Sequence, residues 1–95
     1  MSDTTNRRKV DAAQFCRHAL RRIRRHIARQ AETCELGEAE YGRCFRFSFT
    51  RIEVDGVEKT EFFTVRRDMI EDGFMSEMFL SRALWHTLGR LRGMA

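Results

Sequence analysis

The sequence predicts a single small α+β domain with elements in the order α–β–β–α. Three observations carry that expectation. Apolar residues recur at helical spacing through the first third of the chain. Phenylalanines then alternate with polar residues up to an Asp-Gly pair, and a leucine-rich helical run closes the sequence. At 95 residues there is room for one domain, and a 42% hydrophobic, 34% charged composition is that of a folding chain. Residues 1–7 are polar and read as a disordered tail, with the domain spanning 8–95.

The first helix is expected from about Arg8 to Cys34. Ala13, Cys16, Leu20, Ile23, Ile27, Ala31 and Cys34 follow steps of three and four, which no strand produces. Ala12, Phe15 and Ala19 join the same face. His18, Arg21, Arg22, Arg25 and Arg29 stand opposite, flanked by Arg17 and Arg24. The acidic stretch from Glu32 to Glu40, punctuated by Gly37 and followed by Gly42, reads as a loop.

Phe45, Phe47 and Phe49 then alternate with Arg46, Ser48 and Thr50, the period of a half-buried strand. Asp55-Gly56 separates this run from a second one rich in Thr, Val and Phe, a hairpin signal. A two-residue Asp55-Gly56 loop would set Phe49 opposite Phe62 and Phe47 opposite Thr64, whereas a three-residue turn at Val54-Asp55-Gly56, the preferred register, sets Phe47 opposite Phe63 and Phe45 opposite Val65. That register gathers the aromatics on one face and leaves Arg46, Ser48, Thr50, Thr60 and Thr64 on the other, with Phe62 among them. Asp68 and Glu71 resemble a capping box before a helical turn ended near Gly73. The second helix follows from Phe74 or Ser76 to Leu91. Leu80, Leu84, Leu88 and Leu91 form one line on it, with Phe74, Met78 and Trp85 beside them.

Charge is unevenly distributed. Residues 1–31 carry nine Lys/Arg against two aspartates, whereas the whole chain nets only +4. Six arginines fall in positions 17–29 without one acid among them. Arginine presents a planar fork suited to phosphate or carboxylate. The chain is therefore expected to bind nucleic acid, or an acidic protein surface, through Arg17, His18, Arg21, Arg22, Arg24, Arg25 and Arg29. The second reading is a regulator or inhibitor, of the kind phages and mobile elements encode, that docks an acidic face of a larger target. The bland alternative is pairing of these arginines with the glutamates at 32, 35, 38, 53, 58 and 61.

Apolar surface on the second helix exceeds what one helix and one hairpin can cover. A homodimer through Met75, Met78, Phe79, Leu84, Trp85 and Leu88 is the expectation. No catalytic motif is present. Cys44, Ser48 and Ser81 are brought to no histidine by spacing, and no glycine-rich phosphate loop exists, so the chain is read as non-enzymatic and without cofactor. Cys16, His18, His26, Cys34 and Cys44 lack metal-ligand spacing, so no metal site is expected. Three cysteines make no disulfide framework. Together with the absence of a signal-like or membrane-spanning apolar run, they point to the cytoplasm.

Overall fold

A computed structural model describes residues 9–94. The tail expected at residues 1–7 lies outside the described residues. The chain is α+β, with the elements α1 (Ala12–Arg24), β1 (Glu32–Ala39), β2 (Cys44–Ile52), β3 (Glu58–Arg66), α2 (Arg67–Glu71) and α3 (Glu77–Leu91). The strands form one antiparallel meander in the order β1-β2-β3. The expected α–β–β–α order is thus short by one strand, while α2 occupies the place of the helical turn expected before Gly73.

The largest correction concerns residues 25–39. The first helix ends at Arg24 and not at Cys34. Nothing in the sequence breaks it, because residues 25–31 contain neither glycine nor proline. Side-chain and strand bonds fix the end. Glu32 accepts the Ala28 N–H at 2.9 Å, and the Arg24 Nε donates to the Cys34 carbonyl at 3.0 Å. The glutamate-rich segment then pairs with β2, setting Cys34 opposite Phe49 and Leu36 opposite Phe47. Its inward side chains help to seal the phenylalanine face, which a longer helix would leave open along that edge.

The hairpin has the expected register. Phe47 faces Phe63, Phe45 faces Val65, and Ser48 faces Phe62. Gly56 sits at φ +85°, in the left-handed region where a Cβ is disfavoured. The Glu53 N–H donates to the Val57 carbonyl at 2.8 Å and closes the turn. A Cβ at Gly56 would meet nothing within 4 Å, so only backbone strain opposes a side chain there. Gly56→Val is expected to lower stability by about 1–2 kcal/mol in urea denaturation. Unchanged stability would show that the turn adopts another conformation at no loss.

Asp68 does not cap a helix. The short α2 starts at Arg67 without a side-chain cap, and Asp68 pairs with Arg66 instead. α3 does begin on a cap, the Ser76 hydroxyl accepting the Phe79 N–H at 3.0 Å.

Both long helices pack on one face of the sheet. α1 lies over β1 and β2, α3 over β2 and β3, and the helices touch each other. Between the layers sit Phe45, Phe47, Phe49, Cys16, Ile23, Ile70, Leu80, Leu84, Leu88 and Leu91. The other face of the sheet carries Thr33, Arg46, Ser48, Thr50, Thr60, Phe62 and Thr64, as the alternation requires. The Arg46 guanidinium lies 5.5 Å from the Phe62 ring there. No helix among the described residues is long and apolar enough to cross a membrane.

Among the described residues Glu32 is the one buried charged side chain, 2% exposed. Arg92, just past α3, grips it through Nε at 2.9 Å and Nη2 at 2.8 Å, and Arg51 of β2 donates to it as well. Arg92 also reaches the His26 carbonyl at 2.7 Å. One carboxylate thereby ties β1, β2, the end of α3 and the turn after α1.

Candidate nucleic-acid interface

The outer side of α1 is built by subtraction. Ala12, Cys16, Ala19, Leu20 and Ile23 turn inward. At about 100° per residue, Arg17, Arg21 and the C-cap residue Arg25 then point away from the core, spaced by about 6 Å along the axis. All three are exposed. Arg29 stands in the turn beyond the helix and is exposed there, off the helical line on which the periodicity placed it.

The pairing of the arginines divides α1: Arg22 and Arg24 meet carboxylates and the ridge does not, a lack shared among the described residues by Arg43, Arg46 and Arg82 elsewhere on the surface. Arg24 wraps the sheet edge and meets Glu35 at 3.1 Å. Arg22 faces α3 and lies 3.7 Å from Glu77, with His18 at 3.7 Å from the same carboxylate. Most of the remaining acids are occupied by arginines or lysines outside α1. Glu32 takes Arg51 and Arg92, Glu38 takes Arg67, Glu53 takes Arg51 and Lys59, and Glu61 takes Arg90. Among the described residues, Arg17, Arg21, Arg25 and Arg29 have no carboxylate within 4.0 Å. Internal neutralisation therefore reaches Arg22 and Arg24 but not the ridge.

Beside the ridge a groove of about 470 Å³ runs between α1 and α3. Arg22, His26, Met78, Ser81, Arg82 and Trp85 line its mouth, and Ile23 and Leu84 form its floor. Trp85 packs edge-to-face on His26, their ring centroids 4.9 Å apart at 72°. Its surface remains 50% exposed, and that of Met78 69%. Arg82 and His26 were not singled out by sequence reasoning as surface ligands. The signal for Arg82 was its place on the Met78–Trp85 line, four residues after one and three before the other.

The six residues expected to form an apolar interface separate into three groups. Leu84 and Leu88 are wholly buried inside this chain, and Met75 packs against the same core. They are not available to a second copy. Met78 and Trp85 face the groove side. Phe79 is exposed but sits about 100° further round the helix than Met78. The leucine line of α3 is covered by β2, β3 and α1, whereas Phe74, Met78, Phe79 and Trp85 stay exposed.

Cys16, Cys34 and Cys44 are buried free thiols. Burial pushes the Cys16 thiol up to about 11 and Cys34 up to about 12, against small opposing effects from Arg67 and Arg24. Among the described residues, no three His, Cys, Asp or Glu side chains stand together as metal ligands would. What the surface offers is cationic forks, one accessible indole and an open groove.

The fold and surface thus define a two-layer α+β protein with a basic first helix, whose outer arginines meet no carboxylate among the described residues. Compared with protein families, curated proteins and solved structures, the chain matches none.

Proposed function

We propose that this is a non-enzymatic, cytoplasmic nucleic-acid-binding protein whose contact surface is the arginine ridge of α1. The observation behind this reading is that, among the described residues, Arg17, Arg21, Arg25 and Arg29 have no carboxylate partner while most acidic side chains are held by other cations. A row of uncompensated guanidiniums on a rigid helix favours a polyanion, and phosphate contacts of this kind bind without regard to sequence.

The test is the joint replacement of Arg17, Arg21, Arg25 and Arg29 by alanine, which preserves helix propensity. Circular dichroism should show the fold retained. Affinity for nucleic acid should fall for all sequences alike, and the slope of log K against log salt should flatten by about three. An unchanged slope in the folded variant would remove the ridge from the binding surface.

A second reading, a regulator docking an acidic protein surface, draws on Met78, Arg82 and Trp85 standing exposed together. Tryptophan, methionine and arginine are enriched at the centres of protein interfaces. Under that reading oligonucleotides bind weakly from the start, and the quadruple variant loses one protein target through a slower on-rate.

A further inference from the structure

We infer that the groove between α1 and α3 takes an unpaired nucleobase stacked on Trp85, so that the ligand is single-stranded nucleic acid. The inference rests on the nucleic-acid reading and specifies its ligand class. Trp85 packs on His26, the residue that follows Arg25 in the chain. The indole therefore stands beside the end of the ridge, and a strand whose phosphates follow Arg17, Arg21 and Arg25 arrives at it.

The groove suits such an occupant in size and charge. Its 470 Å³ falls within the range of about 300–1,000 Å³ that holds small ligands. Arg22 and Arg82 stand at its mouth. Its only acid, Glu77, is already faced by Arg22 and His18 at 3.7 Å each. An anion with a flat aromatic part matches a half-exposed indole ringed by guanidiniums. In a duplex the base faces are stacked on each other, and only phosphates, sugars and base edges are offered, none of which stacks on an indole.

Trp85 is the chain's single tryptophan, so intrinsic fluorescence reads the groove directly. The probes are oligo-dT and oligo-rU of about a dozen nucleotides and a blunt DNA duplex of the same length. Both single strands should quench Trp85 and bind more tightly than the duplex at equal salt. W85A should weaken single-strand binding by about 10- to 100-fold and leave duplex binding unchanged, while W85F restores most of the loss. Should W85A not fold, W85F affinity and quenching of the wild-type indole decide the matter. Equal affinity for duplex and single strand, with no quenching, overturns the inference and leaves the arginine ridge as a duplex-phosphate surface. No binding of any of the probes at low salt overturns both readings. Quenching by an acidic protein but by none of the oligonucleotides overturns the inference in favour of a protein ligand.

Discussion

Glu32→Gln lowers the stability of the folded chain by about 3 kcal/mol at neutral pH. The substitution keeps shape and volume but removes the charge on which Arg92 and Arg51 converge. Breaking a buried pair from one side typically costs about 3–5 kcal/mol, because the partners stay behind uncompensated. Here both guanidiniums keep some access to water, which places the loss at the lower end. Acid should reproduce the effect. The Arg92 hydrogen bonds, opposed by burial and aided by the Ala28 N–H and Arg51, hold the Glu32 carboxyl down to about 2 from an ordinary 4.5. The folded value is the depressed one, so the stabilisation is fully present above 4.5 and disappears as pH falls toward 2. Urea denaturation of wild type and variant should therefore differ at pH 7 and converge near pH 2. A constant difference across that range would show that Glu32 acts through packing and not through its charge.

Leu84→Glu abolishes cooperative folding, whereas Met78→Glu, six residues earlier on the same helix, leaves the chain folded. Leu84 is 0% exposed and packs between the layers with Leu80, Leu88 and Leu91. Deleting such a leucine side chain costs about 2–5 kcal/mol, and adding a carboxylate with no partner there increases the penalty. The total matches the entire stability of many small domains, about 5 kcal/mol at the lower end. Met78 projects to solvent, so a charge there is hydrated. Thermal unfolding followed by circular dichroism separates the two. A folded Leu84→Glu protein would mean that this leucine belongs to an outer surface.

The hairpin was legible because Asp-Gly marked the turn, and of the two registers it allows only the three-residue one gathers Phe45, Phe47, Phe49, Phe63 and Val65 on one face. The inward line of α3 was legible because Leu80, Leu84, Leu88 and Leu91 lie along one side of a helix. β1 was not. Its inward positions are filled by Glu32, Cys34 and Leu36, and a glutamate in an inward position carries no apolar signal. Ala31 and Cys34 also happen to continue the helical period of α1. The helix end and the strand are fixed by contacts outside the local pattern: the Glu32 bonds to Ala28 and Arg92, the Arg24 bond to the Cys34 carbonyl, and the pairing with β2. The basic character of α1 could be read directly. Which arginines stay unpaired could not, since the α1 pairs cross between elements: Arg24 meets Glu35 on the unrecognised β1, and Arg22 meets Glu77 at the start of α3.

The three sealed thiols also give the molecule a means of timing its own motions. The Cys16 and Cys34 thiols, raised to about 11 and about 12, hold almost no thiolate at neutral pH, burial pushes Cys44 up as well, and all three side chains are buried. Alkylation must wait until the surrounding structure opens. Cys16 lies on α1, Cys34 on β1 and Cys44 at the start of β2, so the labelling rate at each position counts the openings of a different element. Helix detachment, loss of the edge strand and parting of the sheet would register as three separate rates when these are separate events, and as one shared rate when the chain opens only as a whole.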